Sequence, residues 1–215
     1  EDFQELSVGE IDTSNVALSF LPDDRKAVEE ALSWAEKGAQ VLWIENTVKD
    51  AQEIFGYLAA RAQAVGKIDC GILHSRFMKI DRLKNEDEWI NIFGKGRRER
   101  RCAKGRILVG TQVLEQSLDI DADFMVTRIC PTDMLLQRLG RLWRHRENDD
   151  VRPGDSRRSA WIISPSLMDA VNNESNLGRS VKIYDSYILC RTIEVWQDLT
   201  KVSLPKEIRN LLEAT

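Results

Sequence analysis

The sequence predicts an α/β protein built on a parallel sheet with helices on both faces. Three observations carry this. Strand-like and helix-like stretches alternate along the chain, the pattern of parallel strands joined by crossover helices. The run Val41-Leu42-Trp43-Ile44 is apolar without alternation, as a strand buried on both faces must be. The residues that follow each early strand (Asn46-Thr47, His74-Ser75-Arg76, Thr111-Gln112 and Pro131-Thr132-Asp133) are polar, as expected where the carboxyl ends of a parallel sheet meet a ligand.

Taken in order, Val16–Leu21 reads as a short strand. Val28, Leu32 and Ala35 recur at helical spacing across Arg25–Lys37, and Gly38 is placed to end that helix. Val41–Ile44 is followed by a helix from about Lys49 to Val65 with Ile54, Leu58 and Ala62 on one stripe. Ile68–Leu73 is the next strand and Lys79–Phe93 the next helix. Gly94 to Gly105 is basic and glycine-punctuated and reads as a loop. Arg106–Gly110 and Phe124–Ile129 are strands, and Pro131 opens a helix through Trp143, where its missing N–H costs little. Glu147 to Arg158 reads as a loop, Ala160–Ile163 as a last strand, Val181–Leu199 as a long amphipathic helix, and Leu204-Pro205 as the start of a short helical tail.

A chain of 215 residues suits one large domain, or a domain with a small appendage. With 42% hydrophobic and 31% charged residues it can build a core and is not globally disordered. The net charge of -4 excludes nucleic-acid binding driven by bulk charge but not a local basic groove. Cys70, Cys102, Cys130 and Cys190 form no C-x-x-C pair, and with two histidines a Cys/His metal site is not expected. Scattered free thiols and the lack of a signal sequence fit a reducing cytoplasm. No apolar run approaches the ~20 residues of a membrane span. Glu1 to Gly9 resemble neither a signal peptide nor a natural start, which is expected of an excised segment and equally of a processed chain.

Two segments carry chemistry. In Gln137-Arg-Leu-Gly-Arg-Leu-Trp-Arg-His145, Arg138, Arg141 and Arg144 recur every third residue, so a helix puts them on roughly one face. Forked guanidiniums in a row suit a polyphosphate, and a solvated basic face has the same pattern. In Gly110-Thr-Gln-Val-Leu-Glu-Gln-Ser-Leu-Asp119, a Thr hydroxyl and a Gln amide at a strand end can hold a phosphate or sugar without reading sequence, and Asp119 can accept from a ribose hydroxyl. A polar loop with a helix cap is the plain alternative.

In tandem and in this order, the two segments resemble the fifth and sixth motifs of superfamily-2 helicases. Val41 to Thr47 resembles the fourth motif and His74-Ser-Arg-Phe77 the short motif after the following strand. Within that superfamily the chain resembles the helicase–nuclease of type I CRISPR systems, on Thr111 to Asp119, His74 to Phe77, Gln137 to His145, Leu189-Cys-Arg-Thr192 and Leu204-Pro-Lys-Glu207. The resemblance covers about Val41 to Leu212. It implies the second RecA-like domain over residues 1–165, with residues 166–215 a helical extension leading toward a further domain.

It implies further that Arg138 and Arg141 act as arginine fingers on ATP held by a first RecA-like domain, with Gln137 positioning the γ-phosphate or water and Asp119 contacting the ribose or coupling ATP to the nucleic-acid site. Arg144 is expected to pair internally. Thr111, Gln112, Asn46, Thr47, Ser75, Arg76, His74 and Gln116 would grip a single DNA strand. His74 is open between a strand contact and a satisfied buried ring, and Gln116 stands where many relatives carry Arg. Magnesium ligands would lie on the absent first domain, since no phosphate-binding loop or Asp-Glu motif occurs here. Single-stranded DNA, the first RecA-like domain, the HD nuclease domain and a crRNA-guided surveillance complex are the implied partners, with no membrane. The basic segment Lys95 to Arg106 could track DNA, contact a partner or stand in solvent. Tyr184, Tyr187, Leu189 and Trp196 read as core or interdomain contacts rather than base-stacking residues. The alternatives are another motor of the superfamily, such as an RNA helicase or restriction translocase, and a non-enzymatic binding module.

Overall fold

The structure is a computed structural model that describes residues 13–215, except 97 and 117 and the side chains of Lys79 and Gln116. The reading of Glu1 to Gly9 therefore lies outside the described residues, as do Ser117 and the side chain of Gln116.

The chain runs β1 (Ser14–Leu21), α1 (Asp24–Glu36), β2 (Gln40–Ile44), α2 (Val48–Val65), β3 (Ile68–Leu73), α3 (Lys79–Phe93), α4 (Arg98–Ala103), β4 (Gly105–Gly110), α5 (Val113–Gln116), β5 (Phe124–Arg128), α6 (Thr132–Leu139), β6 (Ser159–Ile163), α7 (Leu167–Asn172), α8 (Ser186–Trp196), β7 (Lys201–Leu204) and α9 (Ile208–Ala214). Short 3-10 segments cover Arg146–Val151 and Glu174–Lys182. Among the described residues the strands form one sheet in the order β3-β4-β2-β5-β6-β1-β7. All pairs are parallel except β1 with β7.

The two-residue period of a strand divides the central strands between two cores. Val41 and Trp43 of β2 face a layer with Ala27 and Leu32 of α1 and Ile54 and Leu58 of α2. Leu42 and Ile44 face the opposite layer, with Phe93, Leu114, Leu136 and Ile193. This is why the Val41–Ile44 run has no polar alternation. The α1 layer lies so close to β4 that a Cβ on Gly105 would stand 1.7 Å from the Ala35 carbonyl oxygen. Thr47 caps α2 by accepting from the Asp50 amide at 3.1 Å, and Gly66 ends the helix in the left-handed region.

Four expectations need correction. The segment 94–105 is not a loop throughout, because α4 lies within it and Arg101 is buried. The helix expected through Trp143 ends at Leu139. Beyond Gly140 the Ala122 amide donates to the Arg141 carbonyl and the Trp143 amide to the Ala122 carbonyl, so the chain leaves the helix to bridge the segment before β5. The helix expected over 181–199 starts at Ser186, because Asp185 caps it by accepting from the Tyr187 amide. The extension 166–215 is not helical alone: β7 adds an edge strand to the sheet, and Trp196 is fully buried with its indole donating to the Thr132 hydroxyl at 2.9 Å. Leu189 joins Trp196 in the core, whereas Tyr187 is exposed. No described helix is long and apolar enough to cross a membrane.

Candidate nucleic-acid cleft and arginine site

The carboxyl ends of β2, β3 and β4 open into one cleft of about 510 Å³. Its lining includes Thr47, Ser75, Arg76, Thr111 and Gln112, so the strand-end residues of three separate motifs converge. Parallel neighbours in register make this inevitable: Ile44 aligns with Gly110, and Gly110 with Leu73, so the next residues of each strand emerge side by side. The structure adds a wall that sequence reasoning missed. Arg179, Lys182 and Ile183, from the segment before α8, complete the cleft. Their only sequence signal is a basic pair in a segment with no motif.

Within the cleft the predicted residues differ in availability. Ser75 and Arg76 are exposed, and Thr47 is half-buried at its cap. Thr111 is buried, with its backbone amide donating to the Leu73 carbonyl. The Gln112 amide donates to the Asn46 carbonyl at 3.1 Å and to the Tyr184 hydroxyl at 3.0 Å. Asn46 is corrected from strand contact to internal brace: it is 1% exposed, and its Nδ2 donates to the Ile129 carbonyl at 2.7 Å and the Ser180 hydroxyl at 2.8 Å. His74 is also internal. Its ring is buried and stacks on Phe77 at 4.3 Å, Nδ1 accepts from the Arg76 amide, and Nε2 lies 3.3 Å from the Gln52 amide. Burial holds its pKa below the ordinary imidazole range, in keeping with the neutral tautomer that Nδ1 acceptance requires.

The arginine row is not one face. Arg138 is fully buried within α6. Its Nε donates to Glu115 Oε1 at 2.6 Å, one terminal nitrogen to the Thr127 hydroxyl at 2.8 Å and the Arg128 carbonyl at 3.0 Å, and the other to Asn46 Oδ1 at 3.0 Å. A guanidinium so enclosed has no surface to offer a phosphate, which corrects its expected part as a finger. Arg141 and Arg144 lie past the helix. Arg141 is half-buried and holds the Leu118 and Glu115 carbonyls. Arg144, with 43% of its side chain exposed, donates to Asp119 at 2.7 Å, the internal pairing expected of it. Burial raises the Asp119 pKa, but the Arg144 hydrogen bond and the His145 and Arg144 charges outweigh this and hold it below the ordinary carboxylate range. Gln137 is exposed on α6, next to Arg138 in sequence but facing out.

A second polar centre was also missed. Asp121 and Asp123 are buried between Arg101 of α4 and Arg152. Arg101 meets Asp123 at 2.5 Å, and Arg152 meets Asp121 at 2.9 Å and also Asp123. Asp121 further accepts from the Arg144 amide at 2.8 Å and from Asn148 at 2.7 Å, and Asp123 from the Gln40 amide at 2.7 Å. Arg152 lies 4.6 Å from the centre of the Trp143 ring. The basic segment is thus largely committed to acids within the chain, with Lys95 on Glu147 and Arg98 on Asp150 as well. The alternation Asp119-Ile120-Asp121-Ala122-Asp123-Phe124, with acids inside an apolar run, is the signal that could have revealed it.

A mostly parallel sheet with helices on both faces, a polar cleft at its carboxyl edge and arginines on the loop after α6 define a RecA-like domain of the helicase type. Residues 37–147, just over half the chain, match the family described as CRISPR-associated nuclease/helicase Cas3, C-terminal, and the chain belongs to that family. It is 35% identical over 203 residues to the CRISPR-associated endonuclease/helicase Cas3 of Escherichia coli (strain K12), covering 93% of this chain and 21% of that protein. It is 31% identical over 201 residues to the CRISPR-associated nuclease/helicase Cas3 of Streptococcus thermophilus, covering 93% and 20%. The crystal structure of T. fusca Cas3-AMPPNP superposes with a TM-score of 0.83 at 25% identity, covering 96% of this chain and 25% of that one. The chain therefore spans about a fifth of the length of the curated relatives it matches.

Proposed function

We propose that this chain is the second RecA-like half of an ATP-driven, 3′-to-5′ single-stranded DNA translocase in type I CRISPR interference. It grips the strand backbone and supplies arginines to ATP held on a first RecA-like domain. The observation that carries the reading is the convergence of three motif strand ends on one cleft, with Arg141 braced on the loop that leads from that cleft to Asp119. Arg141 is half-buried and Arg144 exposed, whereas Arg138 is sealed, and this supports the first two as the arginines that reach the phosphates. Asp119 serves the ribose or orients Arg144, and Gln137 faces outward on α6, where a partner domain can meet it.

Among the described residues no acidic cluster is arranged to hold the magnesium that ATP chemistry requires: Asp119, Asp121 and Asp123 are all committed to arginines. That ion belongs with the first domain, as strand cutting belongs with an HD nuclease domain. A crRNA-guided surveillance complex is the partner that delivers the strand. Ser75, Arg76, Thr47 and Gln112 contact the strand backbone, joined by Lys182, with the buried Thr111 ordering the strand end beneath them.

The test is the salt dependence of binding to single-stranded DNA by the motor assembled from this chain and a first RecA-like domain. Each phosphate neutralised on a single strand contributes about 0.7 to the slope of log affinity against log salt. Replacing both Arg76 and Lys182 by Ala is expected to lower that slope by about 1.4, and single-stranded DNA is expected to stimulate hydrolysis more than RNA of the same length. An unchanged slope removes the cleft from strand binding, and stronger stimulation by RNA favours an RNA helicase.

A further inference from the structure

The buried Arg138 sits between the cleft and Arg141, and it is hydrogen-bonded toward both. On the cleft side, Asn46, which reaches the cleft lining, accepts from Arg138 through Oδ1 and donates to the buried Ser180 hydroxyl of the segment before α8. Gln112 of the cleft donates to the Asn46 backbone. On the other side, Arg138 donates to the Glu115 carboxylate, and the carbonyl of that same residue accepts from Arg141. Cleft and Arg141 are therefore joined by an unbroken chain of hydrogen bonds: Gln112, Asn46, Arg138, Glu115, Arg141.

We propose that Arg138 is the positioning residue that couples strand binding in the cleft to the placement of Arg141 at the nucleotide. This rests on the function proposed above and adds a mechanism to it.

Three features favour a coupling element over simple bracing. Bracing needs one good ion pair, but the Arg138 fork spends its donors on four groups from β5, α5 and the strand end after β2, so a shift in any one is felt by the others. The relay also ends on an unused pair. Glu115 Oε2 is a buried acceptor and Arg141 Nε a buried donor, and neither has a hydrogen-bond partner among the described residues. Two residues already joined thus keep a spare donor and a spare acceptor, so this buried junction holds hydrogen-bonding capacity that it does not use. Finally, Asn46 also holds Ser180, which lies between the cleft-lining Arg179 and Lys182 and outside the helicase motifs. The segment that closes the cleft wall therefore reports to the same arginine. A network with two arrangements of similar energy, biased by a ligand at one end, is what coupling between sites requires.

The experiment compares unsubstituted, Arg138→Lys and Asn46→Ala forms of the assembled motor. It measures kcat with and without saturating single-stranded DNA, KM for ATP, strand Kd and the thermal midpoint. Lys keeps the buried charge but cannot span Glu115 and Asn46 together, and Asn46→Ala cuts only the cleft side. In both, the factor by which DNA raises kcat is expected to fall at least tenfold toward unity, with KM and Kd within about threefold of the unsubstituted values. If Arg138→Lys does not fold, Asn46→Ala decides. A stimulation factor equal to the unsubstituted one in a folded variant overturns the proposal, since bracing alone gives that result. So does an equal loss of kcat with and without DNA, which marks Arg138 as a phosphate contact. An unsubstituted motor that DNA does not stimulate overturns the parent function instead, independently of either variant.

Discussion

Arg141→Ala is expected to lower ATP turnover by the assembled motor about 10³-fold, the scale on which an arginine supplied from across a domain interface stabilises phosphoryl transfer. The loss should fall on kcat and leave KM for ATP nearly unchanged, because the interaction strengthens as charge develops on the transferring group. The geometry distinguishes this residue from its neighbour in the motif. Arg141 is half-buried and borders the exposed pair of Arg144 and Asp119, whereas Arg138 is enclosed on every side. Burial and, after it, the neighbouring Arg144 charge hold the Arg141 pKa below the ordinary arginine value. Such a cation, pressed by a like charge, gains from an arriving phosphate. Steady-state kinetics on the reconstituted motor decide the matter, and a drop of less than tenfold takes Arg141 out of contact with the phosphates.

The second large effect is on stability. Asp123→Ala should cost about 3–5 kcal/mol, because it leaves Arg101 and Arg152 buried without a full complement of counter-charge. It also deprives the Gln40 amide of its acceptor at the start of β2. For a chain of this size each kcal/mol shifts the thermal midpoint by roughly 2–4 °C, so a fall on the order of 10 °C is expected. The urea midpoint should fall with little change in slope. An exposed pair such as Arg61 with Glu29 gives the contrast, and its removal is expected to leave both midpoints nearly unchanged. A midpoint within 2–3 °C of the unsubstituted protein would show that the aspartate centre is dispensable.

The parts of this molecule legible in its sequence are those set by local pattern. The doubly apolar run of β2, the helical stripes of α1 and α2, and the spacing from Thr111 to Asp119 each declare their element without help from distant residues. What stayed hidden depends on partners far along the chain. An arginine at position 138 has the same spacing from Arg141 whether it faces a phosphate or is sealed behind Glu115, Thr127 and Asn46, which are 11 to 92 residues away. The basic stretch from Lys95 to Arg106 looks solvated until Asp121, Asp123, Glu147 and Asp150 are brought against it. Strand β7 has four residues, alternates in burial and runs straight into a proline, too little pattern to separate from a linker. The helix end at Leu139 turned on a single backbone bridge between Leu142 and Ala122, which no periodicity records.

The proposed half of an ATP site predicts a simple dependence on its complement. ATP hydrolysis by the purified chain, measured alone and then with a first RecA-like domain added in trans in the presence of single-stranded DNA, tests this most directly. The chain alone should release no phosphate above background, and the mixture should turn ATP over. Turnover at ordinary helicase rates by the chain alone, or no turnover by a mixture shown to associate, would contradict the assignment.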